Sequence, residues 1–509
     1  MSASREKNSR KESVLTQNTQ AARKTKAANE NRSFYTKVIV AVVALAIAFV
    51  VCFIYGNENV RKNMTAVTVD GEKFTATELD YYYHTAVNQH GSYLSYLGVD
   101  PNQDLDAQKY SEDMTWGDYF RDEAVASLSE IASVYQDAME NGFEITPELQ
   151  KEIDEFSASI DEYCKSNSIT REQFLQGNYG SHMTNDIYMK HLTMMFVASE
   201  YASQHQENTV YTDDELNAYY NEHKNDIDLA SYEVLSVKPD YTGIEGTTEG
   251  SADETPTYTE EQDAQAMEAA KATAEAYLER VNNGEKLSDI GDEYNTNSYS
   301  NKEDVSYATF VGYTFNDWVF DEARTIGDTG IVEDAEQGFW YVVVLNDRYR
   351  PDYNTVDVRH ILLKPVDSSL KPGDEGYEAA LEVNMAYAKN QAQEVLNKYL
   401  AGEHTAEAFG ELAKTNSADS SASAGGLITG ISKGEMVEPF ENWCFDSSRK
   451  VGDTGIVEST YGYHVMYFDG VNEPYWEVRS TRAMDAEWLQ NIYDSAKVKQ
   501  HTLGYKAIH

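Results

Sequence analysis

Hydrophobic and polar residues alternate along this chain in several distinct regimes. Val38–Tyr55 reads VIVAVVALAIAFVVCFIY, eighteen consecutive apolar residues. That length meets the lower limit for a helix crossing a bilayer. Residues 67–75, VTVDGEKFT, place an Asp70-Gly71 pair between two short β-rich runs, a hairpin signal. Helical periodicity follows in runs such as Phe120–Ala138 and Phe174–Ala202. Thr75 with Glu78, Thr170 with Gln173 and Thr212 with Glu215 have the spacing of a capping box. Thr146 before Pro147 marks another helix start. Residues 60–229 therefore predict a mostly helical lobe that opens with a hairpin.

Beyond residue 230 the pattern repeats. Phe315–Glu333 reads FNDWVFDEARTIGDTGIVE, and Phe440–Glu458 reads FENWCFDSSRKVGDTGIVE, identical at twelve of nineteen positions without a gap. One structural module has been built twice, over about 230–352 and 353–472. Each copy runs from a β-rich segment ending in Lys-Pro, through a polar loop and two helices, to the shared block and a closing strand. In the first copy the loop swells to Thr242–Glu261, a Gly-, Thr- and Glu-rich stretch expected to be mobile. Each copy predicts a compact α+β module. The tail 473–509 holds one further helical run, Ala483–Val498.

Charge sharpens the picture. The 509 residues carry 86 acidic against 41 basic side chains, a net charge of −45. Such a surface repels phosphate backbones, which argues against nucleic-acid partners. Residues 1–37 are the exception, with nine Lys/Arg against three Glu and no apolar period. They read as a disordered basic tail. The positive flank places this tail in the cytoplasm and the acidic remainder outside. A cleaved secretory signal is the competing reading. The length of the span and the Gly56-Asn57-Glu58 that follows favour an uncleaved single-pass anchor. Cys52, Cys164 and Cys444 form no CxxC spacing, so neither a zinc site nor a disulfide framework is indicated.

The two copies differ where chemistry would sit. The second has Val358-Arg359-His360-Ile361-Leu362-Leu363-Lys364-Pro365 and, after the shared block, Gly462-Tyr463-His464. The first has Tyr232-Glu233-Val234-Leu235-Ser236-Val237-Lys238-Pro239, then Gly338-Phe339-Trp340. Val234 and Trp340 thus stand where the histidines would be. The shared Gly-Asp-Thr-Gly survives in the copy without histidines, so it is a requirement of the turn and not a phosphate cradle.

Residues 357–468 resemble the parvulin-type peptidyl-prolyl isomerase domain. The motifs are VRHILLKP, the Gly425-Gly426 turn, KGEMVEPF at 433–440 and YGYH at 461–464. The helical segment, with VDGEKFTATELDYYY and TDDELNAYYNEHK, is similar to the chaperone lobe of the PrsA/SurA-type extracytoplasmic foldases. The resemblance implies that His360 and His464 face each other across an active site, with Asp419 at the third polar position. It implies that Met436 and Phe440 form the apolar pocket for a proline ring, with Leu427 and Phe445 as neighbours. The loop VDSSLKPGDEGYE after the first strand is net negative, which argues against a phosphate requirement. No cofactor or metal is implied. The expected function is a membrane-anchored foldase outside a bacterial plasma membrane. It would isomerise X-Pro bonds in newly exported, unfolded polypeptides, with a catalytically silent first module. A holdase or envelope scaffold without useful isomerase activity is the rival.

Overall fold

The computed structural model describes Val43 and residues 56–509, apart from 247–256, 367–369 and 371–372. The basic tail 1–37 and the expected anchor 38–55 lie outside the described residues, Val43 excepted, as does the middle of the 242–261 loop. Among the described residues no helix is long and apolar enough to cross a membrane. The chain divides into two units, residues up to Thr209 with Glu487–His509, and Val210–Ala486.

In the first unit, Asp70 (φ +47°) and Gly71 (φ +93°) make the turn that the Asp-Gly pair predicts. It joins β1 (Thr65–Val69) to β2 (Glu72–Thr75). Helices α1 (Ala76–Tyr96), α2 (Trp116–Glu140), α3 (Pro147–Ser166), α4 (Arg171–Tyr179) and α5 (Asn185–Asn208) follow. Thr75 and Thr170 close capping boxes, and Thr146 caps α3 ahead of Pro147. The C-terminal tail is more than the helix that periodicity suggested. Val498–Gln500 adds antiparallel to β1. Gly504 lies so close to β1 that a Cβ there would be 2.1 Å from the Thr65 carbonyl oxygen. Ala507 and Ile508 are buried in the lobe core. Arg121 Nε donates to the Ile508 carbonyl at 2.9 Å. The His509 amide donates to Asp80 at 3.1 Å, beside the buried Lys62–Asp80 ion pair of 2.6 Å.

The second unit starts with α6 (Asp213–Glu222), whose capping box Thr212 and Glu215 form. Two four-stranded antiparallel sheets follow. The first contains β3 (Leu229–Val237), β4 (Tyr299–Ser306), β5 (Thr329–Asp334) and β6 (Phe339–Tyr349), in the order β4-β3-β6-β5. The second contains β7 (Asn354–Leu363), β8 (Leu427–Ile431), β9 (Thr454–Ser459) and β10 (Gly462–Pro474), in the order β8-β7-β10-β9. The topology is the same, as the sequence repeat requires. Successive strand residues face opposite sides, so each sheet carries two apolar faces. In the first module α7 (Glu260–Asn282) and α8 (Leu287–Tyr294) cover Leu235, Val237 and Val342, while α9 (Thr314–Phe320) covers Tyr232, Val234 and Val343. In the second, α10 (Tyr377–Leu400) and α11 (Ala406–Asn416) cover Ile361, Leu363 and Val465. There α12 (Glu438–Cys444) covers Val358, Met466 and Phe468.

The repeated block now has a physical reason. Trp443 lies over Gly455 and Trp318 over Gly330; a Cβ would approach the indoles to 2.6 Å and 2.8 Å. Gly452 and Gly327 hold φ of +91° and +93°, a conformation that favours glycine. Both Trp–Gly contacts and both turns are scaffold, present in both copies.

Candidate functional site

The histidines are brought together by register. On the β7–β10 pair His360 is opposite Met466, and His464 is opposite Leu362. His360 and His464 are therefore diagonal neighbours on one face of the sheet. Their Nδ1 atoms are 3.2 Å apart and their rings nearly parallel, with centroids at 5.4 Å. Phe440, carried by α12, meets both imidazoles edge-on at 5.3 Å. The three side chains are all 5% exposed or less.

Polar groups close both ends of the pair. His360 Nε2 is 3.2 Å from Asp419 Oδ1 and 3.3 Å from Ser421 Oγ. The Ser421 hydroxyl donates to Asp419 Oδ1 at 2.6 Å, and its amide donates at 2.9 Å. At the other end His464 Nε2 is 2.7 Å from the buried Ser459 Oγ. Ser459 Oγ already accepts the Tyr461 amide at 3.1 Å.

Electrostatics fixes the direction of this chain. Burial pushes the His464 pKa down to about 4, with His360 adding repulsion. Burial also lowers His360, against the pull of Asp419. Burial would raise Asp419, but the Ser421 hydrogen bonds and His360 outweigh it and hold its carboxyl below the usual range. At neutral pH the site is thus two neutral imidazoles beside an anion. An anion accepts but cannot donate, so His360 carries its proton on Nε2, toward Asp419. Its Nδ1 is then the acceptor for His464 Nδ1–H. His464 Nε2 in turn accepts from the Ser459 hydroxyl. The reverse order would aim a lone pair of His360 at the carboxylate.

Met436, Phe440 and Phe445 belong to one apolar cluster on the histidine face, with Phe440 buried and the other two half-buried. Leu427 does not join it. It is opposite Arg359 in the sheet, which puts it on the far face from His360. Ile428, opposite Val358, takes that place in the cluster. Cys444 is a buried core residue of the same cluster, its thiol pushed up to about 12 by burial. Ser421, Ser459 and Ile428 were missed by the motif reading. Only the pairing of β8 with β7 decides that Ile428 and not Leu427 shares the face of His360; the serines carry no sequence signal of their own.

The first module corrects one correspondence. Val234 is opposite Val343, as His360 is opposite Met466. The β5–β6 turn, however, closes at Asp334–Phe339, and the β9–β10 turn at Ser459–Gly462, two residues shorter. The residue in register with His464 is therefore Tyr341, not Trp340. Trp340 faces α7, where Lys271 Nζ lies 5.5 Å from its ring centroid. Tyr341 packs edge-on against Phe315 at 5.0 Å. Phe310 and Tyr313 also contact Phe315, at 5.7 Å and 5.4 Å.

Known protein families match both parts of the chain. The family described as the PPIC-type PPIASE domain matches residues 344–469, and the SurA-like N-terminal domain matches residues 26–201. The foldase protein PrsA of Bacillus subtilis (strain 168) is 27% identical over 257 residues, which is 46% of this chain and 85% of that protein. Foldase protein PrsA 1 of Listeria innocua is 35% identical over 103 residues, 20% of this chain and 34% of that protein. The crystal structure of PrsA from Bacillus subtilis aligns over 80% of this chain and 91% of its own, at 15% identity and a TM-score of 0.26.

Proposed function

We propose that this chain, which belongs to the PrsA-like foldases through its PPIC-type isomerase domain and SurA-like N-terminal domain, is a membrane-anchored peptidyl-prolyl isomerase and chaperone for exported polypeptides. Residues 38–55 are the anchor in this reading, and the acidic bulk lies outside the plasma membrane. The helical lobe of residues 60–229 holds unfolded clients. Residues 353–472 are the isomerase, and residues 230–352 are catalytically silent.

One observation supports the reading above the others: His360, His464 and Phe440 meet in a buried cluster inside an isomerase-family domain. Rotation about an X-Pro bond faces a barrier of about 18–20 kcal/mol set by amide resonance. A catalyst needs only to favour the twisted amide over the planar one. Phe440, Met436 and Ile428 offer an apolar wall to the proline ring. The neutral imidazole pair sets the polarity next to the carbonyl, and burial weakens solvation of the planar dipole. Neither a covalent bond to the enzyme nor a redox step enters.

The test is a proline-peptide isomerisation assay on the full chain. Wild type should catalyse, and His360→Ala or Phe440→Ala should lower kcat/KM by about tenfold or more. Val234→Ala in the first module should leave kcat/KM unchanged. A wild-type rate equal to the uncatalysed one would leave a holdase.

A further inference from the structure

The wall that carries Ile428 is held from outside the isomerase module. Val358 is opposite Ile428, and Val356 is opposite Ile431. Two steps on β7 thus face three on β8, so β8 contains a β-bulge at Thr429-Gly430. In a regular strand residues three apart face opposite sides. The bulge brings Ile428 and Ile431 to the same side, and both join the cluster around Phe440.

A bulge leaves backbone groups without ladder partners. Here side chains take them. The Gly430 amide donates to Asp357 Oδ1 at 2.7 Å, and Asn472 Nδ2 donates to the same oxygen at 2.6 Å. The Thr429 and Gly430 carbonyls accept from Arg482 Nη2 at 2.7 Å and 3.1 Å. Arg482 comes from helix α13 (Tyr475–Ser495), beyond the 344–469 stretch that matches the isomerase family. The approach is close. Gly430 has φ +59°, and a Cβ there would be 2.8 Å from Arg482 Nη2 and 2.9 Å from Val478 Cγ1. One turn earlier Arg479 lies 3.7 Å from Glu435, and Glu435 accepts the Ser432 amide at 2.9 Å in the loop that leads to Met436.

We propose that Arg482 is a positioning residue for proline binding: it clamps the β8 bulge and thereby aims Ile428 at the pocket. The inference rests on the isomerase reading above. A guanidinium suits the role because its planar fork presents donors in a fixed geometry, which the single ammonium of lysine lacks.

The experiment compares the full wild-type chain with Arg482→Ala and Arg482→Lys by two measurements. The first is amide hydrogen exchange over residues 427–431; the second is kcat and KM for one proline peptide. Arg482→Ala should speed exchange in this stretch and raise KM roughly fivefold. It should leave kcat within about twofold, because His360, His464 and Phe440 are untouched. Arg482→Lys should recover part of the KM. Unchanged exchange overturns the clamp. Faster exchange with unchanged KM overturns its role in positioning. Should wild type be inactive, the isomerase reading falls by itself. Exchange, with direct titration of the same proline peptide in place of KM, then decides the clamp by the same two criteria.

Discussion

Replacing Asp419 by Asn would remove the anion that orders the histidine pair while keeping the shape of the side chain. In wild type the carboxylate accepts from His360 Nε2 at 3.2 Å and from the Ser421 hydroxyl at 2.6 Å. An amide can donate as well as accept. If the introduced side-chain amide donates to His360 Nε2, the whole chain of donors reverses, and His464 places its proton toward Ser459. The magnitude follows from the geometry. A hydrogen bond to a charged group contributes about 1.5–3 kcal/mol and a neutral one about 0.5–1.5 kcal/mol. The 3.2 Å contact is longer than the usual charge-assisted distance, and Asp419 is about a third exposed. The lower end of each range applies, so the two bonds differ by about 1 kcal/mol, or about fivefold in the tautomer ratio and in kcat. Nitrogen-15 NMR of the imidazoles reads the tautomers directly. Wild type should show His360 protonated on Nε2 and His464 on Nδ1, and Asp419→Asn should show a mixture. A wild-type His464 protonated on Nε2 would refute the argument at its root. An unchanged rate with a changed tautomer ratio would separate Asp419 from catalysis.

Three further outcomes are expected. His464 is held at about 4 against an ordinary 6.5, so the unfolded chain binds protons that the folded chain refuses as pH falls through that window; isomerase-module stability should drop from about pH 6.5 toward 4, and a urea midpoint that is flat between pH 7 and 5 would contradict this. Gly426→Ala should cost well over the about 1–2 kcal/mol of positive φ alone, because its Cβ would be 2.3 Å from the His360 carbonyl oxygen; Gly434→Ala, with φ +86° and nothing within 4 Å, should cost only the backbone part, and equal melting shifts would sink the distinction. Ile508→Ala should destabilise the helical lobe by about 2–5 kcal/mol, since Ile508 is fully buried in its core, and an unchanged denaturation midpoint of the lobe would deny the tail that role.

The sequence carried the local rules well and the spatial ones unevenly. Capping boxes at Thr75, Thr170 and Thr212 depend on residues three apart, and the structure has all three. The Asp70-Gly71 turn is equally local. His360 and His464 could be singled out because one copy has them and the other does not. Ile428 was hidden by a one-residue choice: motif position suggested Leu427, but strand alternation and the bulge decide which side chain faces the histidines. Matching Gly338 to Gly462 puts Trp340 at the place of His464, but one hairpin turn is two residues longer, and only the strand register reveals that Tyr341 takes that place. The strand Val498–Gln500 pairs with β1 across more than 400 residues, and no periodicity reports a contact that distant.

The same two-residue difference changes the surroundings of the position that matches His464 in the first module. Ser459 ends β9 and offers His464 a hydroxyl that can donate. In the first module the equivalent end of β5 is Asp334, buried, with its carboxylate committed to the Gln337 amide at 2.9 Å and the Thr314 amide at 3.3 Å. That carboxylate fastens the longer turn to the start of α9. A histidine at position 341 would meet an anion where His464 meets a hydroxyl. An anion there stabilises the imidazolium, whereas the second module depresses both histidines by burial. Phe310, Tyr313 and Tyr341 meanwhile pack around Phe315, so the counterpart of the proline wall is filled by the module's own rings. The missing histidines, the longer turn and the ring-filled face are three differences that fit one another. Restoring the histidines alone at 234 and 341 would therefore not rebuild a neutral pair.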